Sequence, residues 1–236
     1  MPKARRVVIT GNPAKIKRSE QPIDIITKNQ IKDELGIKNN LPMVLVFGGS
    51  QGAKSINEAC IEIIRNSLND NYQLVWASGQ KQYDSIIEQL AKNNIHIENM
   101  KNTKIVPYIY NMEKIMAISD IIIARSGAMT VTEIGIIGKP AIFVPYPFAT
   151  ENHQEYNARV LEKNGAARVI LDEELTAEVL TKALNNMLEN KMILFEMGEN
   201  AKKIAIPNTL DLIYEEIERL IERDDNNWTL NNSNEV

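Results

Sequence analysis

The chain has a single cysteine in 236 residues and only two histidines. Nowhere does it hold an apolar run near the roughly 20 residues that a membrane-spanning helix needs. One thiol, Cys60, excludes an internal disulfide and fits a reducing compartment. Its place on the apolar side of a predicted helix reads as a small buried hydrophobe rather than a nucleophile. The run Ile121 to Ala124 is bounded by Asp120 and Arg125, the pattern of a buried strand. No secretory h-region opens the chain, so a cytoplasmic location is expected. An excess of positive charge is also missing: 27 Lys and Arg face 31 Asp and Glu, for a net charge of -4. That argues against nucleic acid as a partner, because affinity for a phosphate backbone comes from clustered cations. The exception is Met1 to Arg18, with six Lys or Arg and no acid, which reads as a solvated basic segment in preference to an anionic-membrane patch.

Several nucleotide signatures are absent too. There is no G-x-x-x-x-G-K-[ST] loop and no G-x-G-x-x-G, so NTPase and dinucleotide readings lose weight. No D-x-D pair occurs, and neither a protein-bound catalytic metal nor a cofactor is expected. What the chain does have is one idea used twice. MVLVFGGSQGAKSINEA (43 to 59) and DIIIARSGAMTVTEIG (120 to 135) each run a short apolar strand through a glycine turn into a helix. Such a turn gathers backbone N–H groups and a helix N-terminus at one point, which suits a phosphate-bearing ligand.

Elements of this kind alternate along the chain. Strands are predicted at Val7 to Thr10, Met43 to Phe47, Gln73 to Ala77, Lys104 to Val106, Ile121 to Ala124, Ala141 to Val144 and Ala167 to Ile170. Helices are predicted at Ile31 to Leu35, Ser55 to Leu68, Tyr83 to Lys92, Met112 to Ile118, up to Ile137, Gln154 to Lys163, Ala177 to Leu188 and Ile193 to Ile204. This alternation implies an α/β, doubly wound, mostly parallel sheet with both glycine turns at its carboxyl edge. Residues 1–20 read as a linker-like segment, 21–206 as the sheet domain, 207–223 as an amphipathic helix that starts after Pro207, and 224–236 as a disordered tail.

Spacing leaves the roles of the two turns open. Gly48, Gly49 and Gly52 permit close approach of a ligand, and Ser50 and Gln51 offer side-chain hydrogen bonds. Ser55-x-x-Glu58, however, fits a capping box that needs no ligand, and so does Thr130-x-x-Glu133. The alternative places Glu133 on the hydroxyls of a ribose. In PFATENHQEYNA (147 to 158), Gln154 is a candidate partner for a sugar hydroxyl, and His153 reads as a polar loop residue before a general base.

Six segments in order carry a family resemblance: TGNPAK (10 to 15), FGGSQGAKSIN (47 to 57), VPYIYNM (106 to 112), RSGAMTVTEI (125 to 134), GKPAIFVPYPFATENHQEYNA (138 to 158) and EKNGAA (162 to 167). Together they resemble the C-terminal, donor-binding half of the MurG family of bacterial N-acetylglucosaminyltransferases. The resemblance covers nearly all of residues 7 to 206 and implies a Rossmann-like domain of the GT-B type. By it, Ser50 and its glycine neighbours meet the diphosphate of UDP-GlcNAc, and the backbone of Ile109 meets the uracil. Ala128, Met129, Thr130, Val131, Thr132 and Glu133 surround the α-phosphate and ribose, while Gln154 binds the GlcNAc hydroxyls. Lys15 stands where many members carry an arginine; it keeps the charge and loses the planar fork.

The resemblance further implies inverting transfer of GlcNAc to lipid I to give lipid II, in peptidoglycan synthesis on the inner face of the cell membrane, with peripheral membrane contact. The family's N-terminal half, with its glycine-rich acceptor loop and catalytic histidine, has no counterpart in these residues, so no catalytic residue is assigned here. The other readings are a non-catalytic UDP-sugar-binding module and, third, a nucleotide-sugar epimerase, for which the sequence offers no acid/base pair.

Overall fold

A computed structural model describes residues 7–16, 23–37 and 40–232, with side chains as far as residue 221. Much of the basic opening segment, residues 1–6 and 17–22, therefore lies outside the described residues. Six strands form one all-parallel sheet: β1 (Met43–Phe47), β2 (Gln73–Ala77), β3 (Thr103–Val106), β4 (Ile121–Ala124), β5 (Ala141–Phe143) and β6 (Ala167–Val169). Their order is β3-β2-β1-β4-β5-β6, the doubly wound arrangement expected from the alternation. Every residue of β1, β2, β4 and β5 is buried, as strands covered on both faces must be.

The covering helices are α1 (Ile25–Glu34), α2 (Lys54–Arg65), α3 (Tyr83–Lys92), α4 (Met112–Ile118), α5 (Ala128–Ile137), α6 (His153–Lys163), α7 (Ala177–Leu188) and α8 (Lys191–Ile204). The two-residue side-chain period splits β1 between two cores. Val44 and Val46 join Ile56, Cys60, Trp76 and Leu184 on one face. Met43, Leu45 and Phe47 join Ile109, Met116 and Ile134 on the other. Burial of Cys60 pushes its thiol pKa up, which removes it as a nucleophile.

One buried polar knot fixes the first glycine turn. Asn57 on α2 is 2 % exposed; its Oδ1 accepts from Trp76 Nε1 at 2.9 Å. Its Nδ2 donates to the Ser78 carbonyl at 2.8 Å and to Gln82 Oε1 at 3.0 Å. An unpaired amide at this depth costs about 1–3 kcal/mol, so the knot locks α2 against the turn between β2 and α3.

Three expectations need correction. Val7 to Thr10 forms no strand: it has no place in the sheet order, and Val7 and Ile9 are exposed. The first helix starts at Ile25 rather than Ile31, because Asp24 caps it by accepting from the N–H groups of Ile26 and Thr27 at 2.9 and 3.0 Å. The polar tail expected from 224 continues as helix, since α9 runs from Thr209 to Asn232. Once a helix is nucleated, each added residue brings its own hydrogen bond, even when the side chains are polar. Along α9, Leu210, Tyr214, Ile217, Leu220 and Ile221 are exposed. Among the described residues no helix is long and apolar enough to cross a membrane.

Candidate functional site

Strand order reverses between β1 and β4, and a crevice forms outside the carboxyl ends of strands at such a switch point. Both glycine turns leave the sheet there. In the first, Gly49 and Gly52 have φ of +86° and +80°, which L side chains rarely adopt. Gly52 also lies against the neighbouring turn after β2: a Cβ on it would come within 2.3 Å of the Ser78 carbonyl oxygen. The loop is tied to that neighbour by Gln80 N–H donating to the Ser50 carbonyl (3.3 Å) and by Gln82 Nε2 donating to the Gln51 carbonyl (3.2 Å). In the second glycine turn, Gly127 has φ -60° and a Cβ there would meet nothing within 4 Å.

Neither capping box forms. Ala53 is the N-cap of α2 and Gly127 that of α5, and no side chain caps either helix. Ser55 instead donates from Oγ to Asp172 Oδ1 at 2.6 Å. The first-turn amides of both helices thus keep their donors for something else, with the positive ends of two helix dipoles beside them.

Between the turns lies a cleft of about 630 Å³. Its wall includes Gly48, Gly49, Gly52 and Lys54 from the first turn and Arg125, Gly127 and Thr130 from the second. Tyr146, Phe148, Gln154 and Asp172 close the other side. The guanidinium of Arg125 donates to the carbonyls of Val144 (3.1 Å) and Pro145 (2.9 Å), to Ser55 Oγ (3.1 Å) and to the carboxylate of Asp172. It also stands 5.6 Å from the centre of the Tyr146 ring, which meets Phe148 edge-on. Gln154 fixes its side chain by accepting from Tyr146 N–H at 3.1 Å, which leaves its amide donors for a ligand.

The anticipated residues fall into two groups on either side of the first turns of α5. Gly48, Gly49, Gly52, Thr130 and Gln154 line the cleft, and Ser50 and Gln51 are exposed at the crown of the same loop. Ile109, Lys15, Val131, Thr132 and Glu133 do not line it. Ile109 is buried in a core cluster that Val131 and Ala14 also pack against, while Asn12 Nδ2 donates to Thr132 Oγ1 at 3.1 Å. That bond brings the segment ending at Lys15 to the same side of α5. Ala128 and Met129 are exposed in the first turn of α5, which both groups share. Glu133 is half-buried; desolvation, then the nearby Glu113 carboxylate, raise its pKa. His153 does not line the cleft, and its Nδ1 is 2.7 Å from the Thr150 carbonyl.

The sequence reading missed Arg125, Asp172 and the true role of Ser55. Arg125 and Asp172 each follow a strand closely at the carboxyl edge, β4 and β6, and that position was the available signal.

Residues 43–213 match the model of the glycosyltransferase family 28 C-terminal domain. A curated relative from Acetivibrio thermocellus, a UDP-N-acetylglucosamine--N-acetylmuramyl-(pentapeptide) pyrophosphoryl-undecaprenol N-acetylglucosamine transferase, is 37% identical over 217 residues, or 92% of this chain and 56% of its own length. One of the same name from Desulforamulus reducens is 42% identical over 79% of this chain and 50% of its own length. The crystal structure of Acinetobacter baumannii MurG superposes with a TM-score of 0.66 at 31% identity, covering 76% of this chain and 52% of that one. The chain spans about half the length of the curated relatives it matches. With a doubly wound sheet of the GT-B type and a matching segment that takes in both glycine turns, the chain belongs to glycosyltransferase family 28, in its C-terminal domain.

Proposed function

We propose that this chain is the donor-binding half of an inverting glycosyltransferase that moves GlcNAc from UDP-GlcNAc to lipid I and forms lipid II in peptidoglycan synthesis. The observation that carries the reading is the pair of uncapped helix N-termini opening on one cleft at the switch point. On this reading the diphosphate lies between them, with the glycine loop at Ser50 against one phosphate and the amides after Gly127 against the other. Nucleoside and sugar then leave on opposite sides of α5. Uracil and ribose run toward Ile109 and Glu133, and GlcNAc runs toward Gln154.

Transfer is the attack of an acceptor hydroxyl on the anomeric carbon while UDP departs. Negative charge grows on the diphosphate, and preorganised amides at two positive dipole ends stabilise it. The acidic side chains in the cleft wall are already engaged: Asp172 with Arg125 and Ser55, and Glu58 3.7 Å from Lys54. On this reading, as the family resemblance implies, the base that takes the acceptor proton comes from an acceptor-binding half, which also supplies lipid I and the peripheral membrane contact.

Calorimetry on the chain tests the donor site, and lipid II formation with and without a supplied N-terminal half tests the activity. UDP-GlcNAc and UDP are expected to bind the chain alone, and turnover to require the second half. Failure of both nucleotides to bind at millimolar concentration overturns the reading; binding without turnover in the reconstituted pair leaves a UDP-sugar-binding module.

A further inference from the structure

The cleft contains a polar network that serves neither helix as a cap. Ser55 lies in the first turn of α2, and Arg125 lies two residues before the N-cap of α5. The bond from Arg125 Nη2 to Ser55 Oγ, 3.1 Å long, therefore links the starts of the two helices across the switch point. Asp172, at the end of the segment leaving β6, accepts from both partners. The Ser55 hydroxyl proton is committed to that carboxylate at 2.6 Å, so Ser55 has no proton to give a ligand. Arg125 is anchored from behind by the Val144 and Pro145 carbonyls.

We propose that Ser55, Arg125 and Asp172 are positioning residues that hold the N-termini of α2 and α5 at the separation a nucleoside diphosphate requires. The inference rests on the donor-site reading above. A diphosphate engages both helix starts at once, whereas a monophosphate engages one. A brace that fixes the distance between them thus contributes to the affinity for two phosphates and little to that for one.

Asp172 separates this from plain electrostatics. Removing a negative charge from the wall of an anion site raises anion affinity if charge alone matters. If the carboxylate is the keystone of a brace, removing its charge loosens Arg125 and Ser55, and diphosphate affinity falls.

The test is calorimetry of UDP and UMP on wild type, Ser55→Ala, Ser55→Thr and Asp172→Asn, with thermal melts to confirm folding. Ser55→Ala is expected to weaken UDP binding about tenfold, the size of one or two lost hydrogen bonds, with UMP changed by less than about twofold. Ser55→Thr, which keeps the hydroxyl, should restore the UDP affinity. Asp172→Asn should weaken UDP and spare UMP. Tighter UDP binding by Asp172→Asn, an unchanged UDP affinity in Ser55→Ala, or an equal loss of both nucleotides overturns the brace. If wild type binds neither nucleotide, the donor-site reading fails instead. Ser55→Ala removes a single hydroxyl from a half-buried site, so it keeps the test open should Asp172→Asn fold poorly.

Discussion

The two glycine turns at the switch point look alike in sequence and are built for different reasons. In the first, Gly49 and Gly52 occupy left-handed backbone, and Gly52 backs onto Gly79 so closely that the fold has no room for a side chain. In the second, Gly127 has an ordinary φ and open space where a Cβ would stand. Folding demands the glycines of the first turn, whereas at Gly127 it supplies only the mild preference of an N-cap for glycine over alanine. A glycine that neither conformation nor packing demands, at the start of an uncapped helix, is what close approach of a ligand to the backbone would require.

Substitution at each turn would break that contrast if it is false. Gly52→Ala combines a strained φ with a 2.3 Å approach to the Ser78 carbonyl oxygen, and the obstacle is backbone that cannot swing away. Strain and overpacking together predict a loss of about 2–5 kcal/mol in stability, measured by urea denaturation. A variant as stable as wild type would show that the first turn yields easily. For Gly127→Ala, the stability loss should stay near about 1 kcal/mol, the cost of alanine at an N-cap, and below that of Gly52→Ala. The same methyl should weaken UDP-GlcNAc binding by about 1–3 kcal/mol, because it occupies the space a phosphate would take. If the Gly127→Ala variant binds the donor normally, the second turn is not where the phosphate approaches.

Most of the fold was legible because its four inner strands are buried on both faces and helices such as α2, α3 and α7 show a clear 3.6-residue period. MVLVF, LVWA and IIIA are continuous apolar runs, and each became all or most of a strand of the sheet. Val7 to Ile9 has the same local composition, yet its apolar side chains found no sheet edge and stayed exposed, which is a tertiary outcome that no local pattern encodes. The glycine loops and Gln154 were legible because position at a carboxyl edge follows from strand order. At Ser55 the sequence left a capping box open as one of two readings, and the structure shows no side-chain cap there, for an instructive reason. Its spacing to Glu58 satisfies a capping rule, but Arg125 and Asp172, 70 and 117 residues away, compete for its hydroxyl and win.

The smallest expected effect sharpens the comparison on the far side of α5, at Glu133. Desolvation first and the Glu113 carboxylate second disfavour its charged form and hold its pKa above the ordinary value. With the folded value raised, the stability associated with this group is fully present below the unfolded pKa and is lost as pH rises through the folded one. At pH 7 wild type therefore carries a small cost that Glu133→Gln removes. The variant should be more stable at pH 7 by less than about 0.5 kcal/mol, given that the site is only half-buried. Near about pH 4 the two proteins should converge as the carboxyl protonates. Donor binding should move the other way: glutamine offers one neutral acceptor oxygen where the carboxylate offers two charged ones, and the affinity for UDP-GlcNAc should fall by about 1 kcal/mol or more. A residue that is better for folding when neutral and better for the ligand when charged would belong, with Gly127, to the proposed donor site. Loss of stability in Glu133→Gln at pH 7, or unaltered donor affinity, would instead assign Glu133 to the scaffold alongside Gly52.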